Sequence, residues 1–258
     1  MPRWPTPFLA TLFVGTLLLG TLALAPGLVR ADAPDYRQWD GVLVRNVRNG
    51  FVDYDGIRAD PAFARFVTQL GTATPADLPD RSAQLAFYIN AYNALAIQGV
   101  LNGDSPASLL GRRTFFRGRR YRVLGAELTL DDLEKVRLAA LAEPRVHFAI
   151  VCASLSCPRL ASRAYWPATV EVQLDAAARA FVNDPTRNRY DPARGLAFLS
   201  AIFDWYADDF AAAGGSVQGY LAGYARDPAL ATRLAAGQLD VSFVPYDWNL
   251  NGTFRAKP

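Results

Sequence analysis

From Tyr36 onward the chain alternates short apolar-periodic runs with turn residues. Trp39, Val42, Leu43 and Val47 recur at near-helical spacing and predict an amphipathic helix over residues 36–48, stopped by Gly50. Residues 51–56 read as a short extended piece closed by an Asp55-Gly56 turn. Phe63, Phe66, Val67 and Leu70 predict a second helix over 61–70, and 71–79 reads as a loop. The longest element follows over 81–101, with Asp80 as its N-cap and Asn102-Gly103 as its exit. Residues 87–97 are apolar almost all round, which marks a core helix.

Phe115, Phe116, Tyr121 and Val123 around Gly118 predict a basic, partly exposed hairpin over 114–124. Thr129 and Asp132 form a capping arrangement that opens a helix through Leu133, Val136 and Leu141. That helix leads into residues 146–151, a run rich in β-formers bounded by Pro144 and a Ser/Pro cluster, which reads as a buried strand feeding a loop. Val170, Leu174, Ala178 and Phe181 predict a helix over 169–183, and two short strands flank the Asp191-Pro192 turn. Ser200 is placed to cap an aromatic helix over 201–210, followed by short helices over 217–225 and 229–234. A final strand over 241–244, expected to be buried, delivers a polar and aromatic tail that should fold back over the surface. The pattern predicts an α+β domain over 36–252, several helices packed around a small mixed sheet.

The first residues change the picture of where this domain works. Arg3, an almost wholly apolar run over 8–24 and Ala31-Asp32-Ala33 form the pattern of a signal peptide over 1–31, with an uncleaved anchor as the alternative. The expectation is export to the periplasm or beyond the cell, with no membrane span after cleavage. A chain of 258 residues less that leader suits one sizeable domain. The formal net charge of +3 falls further when Arg3 and Arg30 are removed, which argues against nucleic acid as a partner.

The chemistry concentrates in one stretch, His147 to Leu160, which holds the only histidine and both cysteines of the sequence. Pro158 suits a first helical position, so Cys157 would be an N-cap whose thiol faces the positive end of a helix. Strand alternation puts His147 and Cys152 on opposite faces, which makes Cys157 the better partner for His147. A structural Cys152–Cys157 disulfide, a buried free Cys152, a core imidazole and a metal site lacking a visible fourth ligand are the alternatives. Asn90 and Asn93 share one face of the long helix, with Tyr88 and Tyr92 on an adjacent face. An asparagine there could orient His147, hold a substrate carbonyl, or simply bond neighbouring backbone. The run Arg112, Arg113, Arg117, Arg119, Arg120 and Arg122 reads as a solvated edge, or as a surface for an anionic ligand or membrane. Asp247, Trp248 and Asn249 in the tail are candidates, with Tyr88 and Tyr92, for contact with a substrate.

Four motifs, Phe87-Tyr-Ile-Asn-Ala-Tyr-Asn-Ala-Leu, His147-Phe-Ala-Ile-Val-Cys-Ala-Ser-Leu-Ser-Cys-Pro, Phe203-Asp-Trp-Tyr-Ala-Asp-Asp-Phe and Tyr246-Asp-Trp-Asn-Leu-Asn, together resemble the domain of unknown function family numbered 547. The resemblance implies a shared α+β domain, spans roughly Trp39 to Asn251, and brings no established activity. The residues themselves point to a thiol-dependent enzyme for acyl transfer or amide hydrolysis. Cys157 would be nucleophile, His147 general base and Asn90 or Asn93 the orienting group, with a small-molecule, peptide or glycan substrate in the cell envelope and no cofactor or metal. The rivals are a non-catalytic envelope-binding module with a structural disulfide and a dithiol redox protein, for which the Cys-Cys spacing is wide.

Overall fold

Aspartates start the first four helices. In the computed structural model, which describes residues 34–255, the Asp35 side chain caps α1 (Tyr36–Asn46) on the Arg37 N–H. Asp53 caps α2 (Tyr54–Ala59), Asp60 caps α3 (Pro61–Thr72) and Asp80 caps α4 (Arg81–Leu101) in the same way. Each such cap satisfies a backbone donor that the first turn leaves unpaired and contributes about 1 kcal/mol. The segment read as signal peptide or anchor, residues 1–31, lies outside the described residues.

Between α1 and α2 the chain makes a hairpin, β1 (Val47–Arg48) against β2 (Phe51–Asp53), turned by Asn49 and Gly50 at φ of 52° and 81°. Gly50 therefore acts as a hairpin turn rather than a helix stop, in keeping with the preference of Asn-Gly for this geometry. The extended piece ends at Asp53 because that residue's side chain turns to cap α2 on Gly56.

The short α5 (Leu109–Arg113) runs into a single wide helical turn, Thr114–Gly118, where a strand had been expected. The turn buries Phe115 completely, and the hairpin comes later, β3 (Tyr121–Val123) with β4 (Ala126–Leu128) around Leu124-Gly125. The Thr129–Asp132 capping box is present and opens α6 (Leu130–Asp132), continued by a widened turn over Leu133–Leu138. Widening moves the buried stripe to Leu130, Leu133, Glu134 and Leu138, and leaves Val136 exposed.

Residues 146–151 form no strand. Pro144 opens a tight turn over Pro144–Phe148, capped by the Glu143 side chain, and the Ile150 N–H returns to the Val146 carbonyl at 3.0 Å. From there to α7 (Val170–Val182) the described chain has no helix, so Cys157 is not a helix N-cap. The second half adds β5 (Arg189–Asp191), β6 (Leu196–Ser200), α8 (Ile202–Trp205), α9 (Ala207–Gly214), α10 (Val217–Ala222), α11 (Pro228–Ala235), β7 (Asp240–Val244) and β8 (Gly252–Thr253). Ser200 Oγ accepts from the Ile202 N–H at 3.3 Å, but the aromatic helix breaks at Tyr206 into α8 and α9. β6 pairs antiparallel with β5 and parallel with β7, while β8 joins β2 in parallel. β7 is an edge strand, and its residues are half-buried or exposed rather than buried as expected.

These elements enclose two apolar clusters within a single α+β domain. The first surrounds α4 and takes in α1, α3, α6 and the cysteine loop, with Trp39 stacked on Phe66 at 5.3 Å. The second is aromatic and gathers Phe148, Phe181, Phe203, Phe210 and Tyr220. Among the described residues, no helix is long and apolar enough to cross a membrane.

Candidate functional site

The two asparagines of α4 hold the irregular segment in place of a neighbouring strand. Asn93 Nδ2 donates to the Ala149 carbonyl at 2.9 Å, and its Oδ1 accepts the Val151 N–H at 2.8 Å. Asn90 does the same for Tyr165, at 2.7 Å to its carbonyl and 3.0 Å from its N–H, and also accepts from Trp39 Nε1 at 3.2 Å. Both amides are buried and fully engaged with backbone and Trp39, so neither orients His147. The C-terminal tail grips the same segment from the other side. The Leu155 N–H bonds the Asn249 carbonyl at 2.8 Å, the Ser156 N–H the Asp247 carbonyl at 3.1 Å, and the Asn251 N–H the Ala153 carbonyl at 3.2 Å.

His147 is set where the two clusters meet. Val146 and Ala149 belong to the first and Phe148 to the second, so the tight turn straddles them and fixes the imidazole between. The ring stacks on Tyr206 at 3.8 Å, and Nε2 lies 2.7 Å from Asp209 Oδ2. Burial lowers the pKa of His147 below its ordinary value, against the opposing pull of the Asp209 hydrogen bond and the nearby Glu134 and Asp209 charges. The ring is therefore neutral at pH 7. The network assigns the proton to Nε2, which donates to Asp209, and leaves the lone pair on Nδ1. Nδ1 is buried and has no hydrogen-bond partner among the described residues. Nδ1 is thus a buried acceptor left unpaired.

His147 forms part of the wall of a narrow cavity of about 70 Å³ that also reaches Cys152 and Cys157. The two cysteines are joined in a disulfide with Cα atoms 6.2 Å apart. Three donors converge on Cys157 Sγ: the Cys152 N–H at 2.9 Å, Tyr246 Oη at 3.1 Å and Ser154 Oγ at 3.4 Å. Burial pushes the Tyr246 hydroxyl up to about 12, so it keeps its proton and donates. Both hydroxyls also lie 3.2 Å from Cys152 Sγ, so they bridge the two sulfurs where a helix start was expected. The remaining walls include Tyr92, Tyr206, Tyr246 and Trp248, with Glu134 between the first two. Glu134 is buried and accepts hydrogen bonds from Tyr92 Oη, at 3.2 Å, and Tyr206 Oη.

The cavity adjoins a wider cleft of about 470 Å³ with which it shares Phe116, Glu134, Trp205, Tyr206 and Trp248. Of the residues expected from the sequence, His147, Cys152, Cys157, Tyr92 and Trp248 thus come together. Tyr88 packs edge-on against Phe87 instead. Asp247 and Asn249 are exposed, and their backbones tie the tail to the cysteine loop. Asp209, Glu134, Tyr206, Tyr246 and Ser154 were missed. Two signals pointed to them: Glu134 interrupts the apolar stripe Leu130, Leu133, Leu138, and Tyr206 and Asp209 lie inside the third motif. A larger cavity of about 560 Å³ lies against α7, with an apolar, alanine-rich lining that shares only Pro158 with the Cys–His cavity. No cluster of three metal-ligating side chains occurs among the described residues.

Fold and site define an α+β domain in which an irregular loop, clamped by a core helix and a C-terminal tail, carries two cysteines that line one cavity with His147. Residues 75–182 match the family described as "Protein of unknown function, DUF547". The matched stretch holds both asparagines, Glu134, His147 and both cysteines, while the third and fourth motifs lie beyond it. No curated protein and no solved structure matches the chain.

Proposed function

We propose that the chain is a thiol-dependent enzyme for acyl transfer or amide hydrolysis in the cell envelope, with Cys157 as nucleophile, His147 as general base and Asp209 as the group that orients it. The observation that carries this reading is His147: a neutral, buried imidazole held through Nε2 by Asp209, beside a cavity that contains both sulfurs. The disulfide makes the form described here the resting one. An external dithiol would supply two electrons and two protons, releasing both thiols and becoming a disulfide itself. The Cys157 thiolate would then attack the carbonyl carbon of an amide. The C–N bond breaks, the imidazolium returns its proton to the leaving amine, and water or an acceptor amine cleaves the thioester.

The test is a titration of thiol reactivity against pH on oxidised and reduced protein. The oxidised form is expected to show no reactive thiol. The reduced form should show one with an apparent pKa well below about 8.5, raised toward that value in His147→Ala and Asp209→Asn. An ordinary pKa untouched by either substitution would sink the proposal.

A second reading has its own support. The disulfide and the aromatic cleft suit a non-catalytic module that binds peptide, glycan or a small molecule. Failure to reduce the disulfide without unfolding the protein would favour it.

A further inference from the structure

The cleft outside the Cys–His cavity has a marked chemistry. Its walls are Phe116, Trp205 and Trp248, the two tryptophans stacked at 5.7 Å and 20°, and Trp205 is 47% exposed. Such walls accept flat or apolar groups. Its cations are Arg112, Arg113, Arg117 and Lys135. Arg117 and Lys135 share a single carboxylate, Asp131, at 2.8 and 3.0 Å. Arg112 lies over the Trp248 ring, 4.5 Å from its centroid, and donates to the Pro106 carbonyl at 3.1 Å. Arg113 has neither a hydrogen bond nor an ion pair from its side chain among the described residues. Besides Asp131, the cleft's other acidic residue is Glu134, at its inner end and engaged with two tyrosines. Positive charge is therefore in excess at the mouth, and a guanidinium without a partner sits beside an aromatic wall.

We infer that this cleft binds acyl substrates carrying a carboxylate next to an aromatic or apolar group, an acidic peptide being the class that fits. The inference rests on the cleft being the approach to the proposed Cys–His centre. A peptide side chain would lie on Trp205 and Trp248 while its carboxylate meets Arg113, and the chain beyond would run inward past Glu134 toward the sulfurs. Arginine suits this role because its planar fork pairs two-pronged with a carboxylate.

The test uses the oxidised protein, so that no thiol chemistry enters. Calorimetric titration with N-acetyl-Glu-Phe-Glu amide and with its Gln-Phe-Gln counterpart compares the charged and neutral forms of one probe. The acidic peptide is expected to bind about tenfold tighter or better, and Arg113→Glu to remove that advantage. Arg122→Glu, an equal change of charge on β3 outside the cleft, should alter affinity by less than about twofold. Equal binding of the two peptides, equal effects of the two variants, or binding only to vesicles of anionic lipid would each overturn the inference. Failure here leaves the thiol titration unaffected, and a failed thiol titration leaves this binding intact.

Discussion

The two apolar clusters are built on different plans. The first is organised by one long helix: α4 is buried on nearly every side, and its neighbours approach through capped helices whose boundaries are set by local residues. The second has no such axis. It is held by aromatic rings from short elements, Phe148 stacking on Phe181 at 4.9 Å and on Phe210 at 5.4 Å. The candidate site lies where they meet, with the cysteines supplied by the first and Tyr206 and Asp209 by elements of the second. A regular helix cannot itself offer its backbone groups to a site without breaking its own hydrogen bonds. An irregular segment can, provided that something rigid holds it, and Asn90 and Asn93 of α4 supply that hold.

The strongest way to break this arrangement is to remove the ring on which the second cluster packs. Phe148→Ala should destabilise the protein by about 4 kcal/mol through lost burial and the cavity left behind. It should also release His147 from its place. If the clusters are as distinct as their packing suggests, urea unfolding of this variant separates into two steps, with Phe203 and Phe210 exposed before α4. A single step of unchanged midpoint would show that the second cluster does not depend on Phe148.

Next comes the clamp. Asn93→Ala leaves the Val151 N–H and the Ala149 carbonyl buried and unpaired, which should cost about 3 kcal/mol, measured by chemical denaturation. Asn90→Ala orphans the Trp39 indole as well and should cost at least as much. The two differ in their consequence for the site. Asn93 holds the backbone beside Cys152 and should alter the reduction potential of the cysteine pair, whereas Asn90 holds Tyr165, beyond the loop, and should leave it unchanged. Equal potentials in both variants would show that the clamp is purely structural.

A smaller effect is expected from the disulfide itself. It closes a short loop, for which the loss of chain entropy predicts about 2 kcal/mol. Cys152→Ser should lower stability by that amount under oxidising conditions and by almost nothing under reducing ones. If the stability difference persists after full reduction, the sulfur's packing rather than the cross-link is responsible.

The same contrast explains what could be read in the sequence. α4 was legible to the residue because Asp80 and Asn102-Gly103 mark its ends and its apolar face is unbroken. Residues 146–151 were misread, because apolar β-formers look alike whether they pair with a strand or are held by side chains. What decides is whether a partner strand exists, and here Asn93 takes its place from another part of the chain. His147, Cys152 and Cys157 stood out by rarity. Asp209 did not, since one aspartate among several in a helix start carries no local mark, and its role depends on contact across 62 residues. At Gly50 the local pairing with Asn49 decides, since Asn-Gly favours a hairpin turn over a helix stop.

The subtlest prediction concerns pH. His147 is buried neutral, so its pKa in the folded protein lies below the value of about 6.5 that it has in the unfolded chain. Between those two values the unfolded state binds more protons, and stability therefore rises with pH across that window. The contribution is complete above about 6.5 and is lost as pH falls toward the folded value. Burial sets the direction; Asp209 and Glu134 both favour the charged ring and limit the shift. Asp209→Asn removes one of these and should move the titration still lower, widening the window. His147→Gln should flatten stability across it. Because the sequence contains one histidine, its imidazole resonances are unambiguous, and a titration followed by NMR reads the folded pKa directly. A value above 6.5 would mean that Asp209 outweighs burial. His147 would then be charged near neutrality, and Nδ1 would carry a proton instead of the lone pair that the proposed base requires.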